Sequence, residues 1–146
     1  MCIRDRIRTV RDPELRVQIV EQRSSFDKDP ASCLAEHQEE QQKFRDRIVK
    51  AQGLLGQTNL SYELRVKISQ VCGELDVDGL RGDIVTNRAA RAYASYMGET
   101  EVTVEHIQSI IRMCLRHRLR KDPLESIDSG DKVQSVFEEV FGDLLN

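Results

Sequence analysis

Residues 103–115 read TVEHIQSIIRMCL, and their apolar side chains recur at the three- and four-residue steps of an α-helix. Thr103 is suited to precede this helix, because its hydroxyl can accept a hydrogen bond from a free backbone N–H of the first turn. The stretch therefore predicts a helix with one buried face. The residues of that face are Val104, Ile107, Ile110, Ile111, Cys114 and Leu115.

Three further helices with apolar faces are predicted on either side of it. The first is capped by Ser61 and carries Leu64, Ile68, Val71, Cys72 and Leu75. The second runs from about Gly82-Asp83 to Gly98 and carries Ile84, Val85, Ala89, Ala92, Tyr93 and Tyr96. The third closes at Gly142 and carries Val133, Val136, Phe137, Val140 and Phe141.

The first third of the chain predicts helices with weaker apolar faces. Asp12-Pro13-Glu14 has the residue types of a helix start, and Asp29-Pro30 interrupts that helix. A longer helix is expected from about Ala31 to Leu55, polar on every side over its first half and so typical of a helix that projects into solvent. Residues 6–10 alternate polar and apolar side chains, which is the period of a short strand.

These elements predict an all-α fold, a helical bundle with one long projecting helix and a short orphan strand at its N-terminus. Three regions are expected. Residues 1–11 hold the strand and the residues before it; residues 12–60 form a linker with the long helix; residues 61–146 form the bundle.

Composition and motifs exclude several classes of protein. The 146 residues carry a net charge of −3, which disfavours general binding to nucleic acid, and no apolar run is long enough to span a membrane. Four well-separated cysteines favour free thiols over a disulfide scaffold. The sequence has no phosphate loop, dinucleotide-binding turn, zinc-protease motif or nucleophile elbow. One hypothesis is therefore a stand-alone helical module for protein interaction, unrelated to ATP.

Arg81 is the candidate functional residue of the loop DVDGLRGD, residues 76–83. Gly79 and Gly82 let the backbone adopt a specific shape just before a helix, where free N–H groups and the helix dipole favour anions. A guanidinium there suits a phosphate, because its fork can donate to two oxygens. The alternative is a surface ion pair with Asp78 or Asp83. The acidic residues lack the closing Glu of a calcium loop, and no metal site is predicted.

A basic run forms a second candidate, a surface for an acidic partner. Its members are Arg112, Arg116, Arg118, Arg120 and Lys121, with His117 between them. Cations stabilise the C-terminal end of a helix, which explains some of these charges without a partner.

Four stretches resemble the small ATPase subunit of magnesium chelatase. They are VRDPELRVQIVE (residues 10–21), LRVKIS (64–69), DGLRGDIVTNRAA (78–90) and CLRHRLRKDPLESID (114–128). The two longer motifs are highly specific, and the resemblance runs from about Ile7 to Gly142. This extent implies that Met1 to Arg6 is a non-native start.

The resemblance implies the C-terminal helical lid of an AAA+ motor subunit. Such a subunit forms a ring with other copies of itself, works with the other chelatase subunits, and uses ATP and Mg²⁺ to drive Mg²⁺ insertion into protoporphyrin IX in chlorophyll synthesis. Arg81 matches the family's sensor-2 arginine, which implies contact with nucleotide held by a neighbouring subunit. The compartment implied is the chloroplast stroma or a bacterial cytoplasm.

The resemblance also implies what these residues lack. The Walker segments and the arginine finger of the family lie upstream of the matching region, and residues 6–10 correspond to the last strand of that core. These 146 residues alone are therefore expected to have no ATPase activity and to bind no nucleotide tightly.

Overall fold

Helices make up the regular structure of the part of the chain that the structure describes. The computed structural model describes residues 9–119 and 128–144. Its helices are α1 (Pro13–Lys28), α2 (Pro30–Glu36), α3 (Gln38–Leu54), α4 (Tyr62–Glu74), α5 (Arg81–Met97), α6 (Val104–Leu115) and α7 (Ser129–Phe141), with a short 3-10 helix at Gly142–Leu144. The prediction of an all-α fold is confirmed. Within the described ranges, none of these helices combines the length and apolar character needed to cross a membrane.

The chain divides into two compact units, Met1–Phe44 and Arg45–Asn146. This division falls earlier in the chain than the predicted boundary between residues 60 and 61. The last turns of α3 and the loop after it therefore belong with the second unit.

The first unit begins with well-capped helices. The Asp12 carboxylate accepts a hydrogen bond from the backbone N–H of Glu14 at 3.0 Å, and the Asp29 carboxylate accepts one from that of Ser32 at 3.0 Å. Neither α1 nor α2 has a buried residue. Asx caps and prolines thus define where these helices begin, as the sequence predicts.

The predicted strand at residues 6–10 is not formed in its described part. Thr9 and Val10 lie outside any strand, and the Val10 carbonyl accepts a hydrogen bond from the Arg16 guanidinium at 3.3 Å. An isolated strand has no ladder partner for its backbone groups, so this segment leads directly into α1. Residues 6–8, and the suspected non-native start Met1 to Arg6, lie outside the described residues.

The prediction of one continuous helix from about Ala31 to Leu55 is wrong at His37. This residue has φ −95° and ψ 0°, and its backbone N–H donates to the carbonyl of Ala35. Its ring Nδ1 lies 2.9 Å from the Cys33 carbonyl, the acceptor that the backbone N–H of residue 37 would use in an unbroken helix. The side chain thus replaces one helical hydrogen bond, and α2 and α3 are separated there.

The second unit encloses one hydrophobic core between α4, α5, α6 and α7. Its fully buried side chains include Ile68, Val71, Ile107, Ile111, Leu115, Val133, Phe137 and Phe141. The predicted apolar faces of α4, α6 and α7 are confirmed. The rings of Phe137 and Phe141 stack with their centroids 4.5 Å apart, and Lys67 of α4 donates to the Val140 carbonyl at 2.7 Å. The end of α7 is thereby held on α4.

The predicted face of α5 is right for Val85, Ala89 and Tyr93, which pack against the core as partly buried side chains, and wrong for Ile84 and Ala92, which are exposed. Ile84 is 48% exposed, whereas the buried residues of this helix are Gly82, Thr86, Ala90, Ala94 and Ser95. Four of these recur at every fourth position and are small, so the α5 backbone can approach its neighbours closely. Close packing of small residues, rather than burial of the larger apolar ones, sets the orientation of α5.

Two loops of this unit pair through the backbone. Asn59, before α4, forms a parallel bridge with Glu101, before α6. The backbone N–H of Asn59 donates to the Thr100 carbonyl at 2.7 Å, and that of Val102 donates to the Asn59 carbonyl at 3.0 Å. The buried hydroxyls of Thr58 and Ser95 lie 2.7 Å apart and link the same loop to α5.

Candidate functional site

The turn between α4 and α5 fixes where α5 begins. The N–H of Val77 donates to the Cys72 carbonyl at 3.1 Å, which folds the chain back over the end of α4. Asp76 and Gly79 have positive φ values of 49° and 63°. The left-handed region disfavours most side chains, so glycine at position 79 is explained by its backbone conformation.

Gly82 allows the first turn of α5 to pack closely against the neighbouring helix ends. A Cβ at this position would lie 2.8 Å from Val77 Cγ1 and 3.3 Å from both Cys72 Sγ and Leu115 Cδ2. Only glycine lets the start of α5 lie this close to the ends of α4 and α6. The residue before it is Arg81, which thus stands at the first position of a firmly packed helix.

Arg81 lies exposed at this helix start. Leu80 occupies the N-cap position, and no side chain caps the helix there. Within residues 9–119 and 128–144, the Arg81 guanidinium makes no hydrogen bond or ion pair, so neither of the alternative pairs with Asp78 and Asp83 is formed. The side chain can therefore donate all of its N–H groups to a ligand beside the positive end of α5.

Asp83 interacts with the buried thiol of Cys72 instead. Burial, together with the charge of Asp83 and a hydrogen bond to it, raises the pKa of Cys72 to about 12. Burial also raises the pKa of Cys114. Both side chains remain neutral thiols near neutral pH, which is typical of core residues rather than of reactive nucleophiles.

The raised pKa of Cys72 predicts a stability that falls with pH in alkaline solution. Above about pH 9 the unfolded chain loses the thiol proton, whereas the folded chain keeps it up to about pH 12. The free energy of unfolding contributed by this group therefore falls by about 1.4 kcal/mol per pH unit in that window. Urea denaturation at pH 8 to 10.5 should show a smaller decline for Cys72→Ala than for the parent chain. Parallel declines would contradict the assignment.

Arg112 of the basic run is engaged within the second unit. Its Nη2 donates to the Asp131 carboxylate at 2.6 Å and lies 3.9 Å from that of Asp128. The guanidinium also covers Gly130, where a Cβ would collide with Arg112 Nε. Arg112 therefore holds the start of α7 against α6 through this ion pair.

Two further arginines of the basic run lie just after α6, and within the described ranges only one of them makes a side-chain hydrogen bond. The Arg118 Nε donates to the Cys114 carbonyl at 3.1 Å and so satisfies one of the free carbonyls at the end of α6. Arg116 follows α6, and its side chain makes no hydrogen bond or ion pair in the described part of the chain. Arg120 and Lys121 lie outside the described residues.

His106 has a structural role at the start of α6. Its Nδ1 accepts a hydrogen bond from the Thr103 N–H at 3.1 Å, its ring packs edge-on against Tyr93, and it is 6% exposed. Across residues 9–119 and 128–144, no cluster of three or more His, Cys, Asp or Glu side chains has an arrangement that could hold a metal ion.

Sequence reasoning missed a set of arginines that brace the loop before α4. Arg91 donates to the carbonyls of Thr58 at 2.9 Å and Leu55 at 3.1 Å, and Arg65 donates to that of Leu60 at 2.9 Å. The signal in the sequence is the recurrence of arginine along α5, at positions 81, 88 and 91.

Comparison with known proteins agrees with the resemblance found in the motifs. The AAA lid domain model matches residues 65–137, half of the chain. The chain is 64% identical over 139 residues to the magnesium-chelatase subunit ChlI of Guillardia theta, covering 95% of this chain and 39% of that protein. It is 63% identical over 136 residues to the ChlI subunit of Synechocystis, covering 93% of this chain and 38% of that protein.

The chain thus spans about two fifths of the length of the curated relatives it matches. The region that matches the family model includes Arg81, all of α5 and α6, and most of α4 and α7. On this evidence of sequence, the chain belongs to the AAA lid domain family.

Proposed function

We propose that this chain forms the C-terminal lid of the ATPase subunit of a magnesium chelatase. In this proposal, ATP hydrolysis by the complete subunit drives insertion of Mg²⁺ into protoporphyrin IX, a step of chlorophyll synthesis. The observation that carries it is the identity of 64% across 95% of the chain with a protein named as a chelatase subunit. No observation favours a stand-alone interaction module over this function.

Arg81 is the residue through which the lid would act on nucleotide. It is an exposed cation beside the positive end of α5, and its own unit does not engage it in the described ranges. A guanidinium can donate to two oxygens of one phosphate, and fixed cations near a transferring phosphoryl group stabilise the charge that develops there. We assign Arg81 to contact with the phosphates of nucleotide on a neighbouring subunit.

The residues present fit one side of a nucleotide site. They supply a positioned cation but no phosphate loop. ATP and its Mg²⁺ would therefore be held chiefly by a part of the subunit that these residues do not include, and the chain alone is expected to bind nucleotide weakly. Bound ATP supplies the phosphoryl group for hydrolysis, and Arg81 contributes charge beside it.

The first unit would join the lid to that nucleotide-binding core. Large apolar side chains are exposed along α1: Leu15, Val17, Ile19 and Val20, each between 46% and 64% exposed. Apolar side chains exposed around a helix in this way are typical of an element that is covered by other polypeptide. We assign residues 12–60 as the linker and these side chains as its contact with the core.

The partners in this proposal are other copies of the subunit in a ring and the other chelatase subunits. Arg116, with Arg120 and Lys121 of the same run, would face an acidic surface on one of them, whereas Arg112 is already paired. Retention of the partner subunits by a chain carrying Arg116→Glu, at the level of the unaltered chain, would contradict this assignment.

The compartment proposed for this chain is the plastid stroma or a bacterial cytoplasm.

A chimera tests the proposed function directly. The matching part of the Synechocystis ChlI subunit, to which this chain is 63% identical, is replaced by this chain. We expect the chimera to hydrolyse ATP and to support magnesium chelation at rates within about ten-fold of the unaltered subunit. A chimera that folds and binds nucleotide yet supports neither reaction would contradict the proposal. Calorimetric detection of tight, stoichiometric ATP binding by the 146 residues alone would contradict the division of labour between core and lid.

A further inference from the structure

A pocket on the second unit, whose lining does not include Arg81, is lined by arginine and amide side chains. Its volume is about 470 Å³, within the usual range for small-molecule sites. It lies between the loop before α4 and the outer surfaces of α4 and α5. The charged and amide side chains that line it are Gln57, Asn59, Arg65, Asn87, Arg88 and Arg91.

The lining of this pocket is positive. It contains three guanidinium groups and no carboxylate. The Glu101 carboxylate lies outside this lining, 3.5 Å from the Asn59 amide nitrogen. Like charges gathered around one concave surface repel one another and raise the local concentration of anions. The charge pattern therefore selects an anionic ligand with more than one negative charge.

Two of the three arginines are held in place before any ligand arrives. Arg65 uses its Nε for the Leu60 carbonyl, which leaves both terminal nitrogens for other acceptors. Arg91 uses Nε and Nη2 for the carbonyls of Thr58 and Leu55, which leaves Nη1. Because these side chains are already ordered, little rotamer entropy remains to be lost on binding.

Arg88 differs from the other two arginines because, in the part of the chain that the structure describes, its guanidinium does not donate to a backbone carbonyl. It is exposed, it lies one turn from Arg91 on α5, and in the described ranges it makes no hydrogen bond or ion pair. Asn87 beside it donates one N–H to the Asp83 carbonyl at 2.8 Å and keeps its amide oxygen and second N–H. The pocket thus combines braced guanidinium groups with one that is available in full.

We propose that this pocket binds an anion carrying two linked phosphate groups. Guanidinium groups donate in pairs to phosphate oxygens, and three of them match the charge of a diphosphate. No aromatic side chain is present in the lining to stack on a base, so the phosphates are the recognised part. The source of the ligand is inorganic pyrophosphate or the phosphates of a nucleotide.

The test is a titration of the chain with sodium pyrophosphate, followed by the NMR signals of the backbone amides and arginine Nε groups. Saturable shifts are expected at Arg65, Asn87, Arg88 and Arg91, and none at Arg45. Arg88→Gln should weaken binding about ten-fold, the effect of losing one charged hydrogen bond. Arg45→Gln, an exposed arginine of α3 outside the pocket, should bind as the parent chain does.

Two outcomes would overturn the proposal. One is the absence of a saturable shift at the pocket residues of the parent chain at millimolar pyrophosphate, with sodium chloride of equal ionic strength as the reference. The other is an unchanged affinity in Arg88→Gln. A parallel titration with ADP identifies the source: tighter binding of ADP assigns the pocket to a nucleotide, and equal binding assigns it to free pyrophosphate. The shifts at the pocket residues report on this site alone, because Arg81 does not line it, whereas the chimera tests the proposed lid function.

Discussion

Arg81→Ala should lower the ATP turnover of the chimeric subunit by about 100- to 1,000-fold, the effect of removing a fixed donor from developing charge in a transition state. The side chain is exposed and unpaired within the described ranges, so its removal leaves the packing of the bundle intact. The loss should therefore fall on the rate constant for hydrolysis. Steady-state ATPase assays, with nucleotide affinity measured separately, check this expectation.

Two variants distinguish a phosphate contact from a general effect of charge. Arg81→Lys keeps the positive charge but loses the paired donors, and we expect it to restore only part of the lost rate. Arg45→Ala removes an exposed arginine of α3 and should leave turnover unchanged. An unaltered turnover number in the Arg81→Ala chimera would contradict the proposed role of this residue.

Much of the bundle could be predicted from the sequence because large apolar residues mark its helices. The stripes on α4, α6 and α7 recur at helical spacing, and burial confirms them. The same reasoning is only partly right for α5, where it selects Ile84 and Ala92, both of them exposed, as core residues. Small residues pack there, and hydrophobicity alone gives Gly82 and Thr86 no weight even though both are buried.

The candidate site shows a similar limit. A loop with two glycines before a helix predicts where Arg81 stands, because helix-start signals act over a few neighbouring residues. The pairing of Arg112 with Asp131 joins residues nineteen positions apart, and the bracing of Thr58 by Arg91 joins residues thirty-three positions apart. Such contacts depend on how the helices pack, which local patterns do not encode. His37 differs because the contact that was missed is local. Its ring bonds to the Cys33 carbonyl one turn earlier and so interrupts a helix that the sequence predicts to be continuous.

Phe137→Ala should destabilise the second unit by about 3 to 5 kcal/mol. The ring is fully buried and stacks on Phe141, so its removal leaves a cavity at the centre of the core. A typical domain has only about 5–15 kcal/mol of total stability, so this single change removes a large share of it. Urea denaturation followed by circular dichroism measures the difference. Glu139→Ala, on the exposed side of the same helix, should change stability by no more than about 0.5 kcal/mol.

The comparison of this variant with Arg81→Ala distinguishes an effect on the stability of the bundle from an effect on ATP hydrolysis alone. Helix α7 packs on α4 and α6, and these two helices hold the start of α5 because Cys72 of α4 and Leu115 of α6 lie beside Gly82. Loss of the Phe137 ring should therefore lower both stability and ATP turnover in the chimera, whereas Arg81→Ala should lower turnover alone. A Phe137→Ala chain that unfolds at the same urea concentration as its parent would mean that α7 does not support the bundle. The position of Arg81 would then depend on α4, α5 and α6 alone.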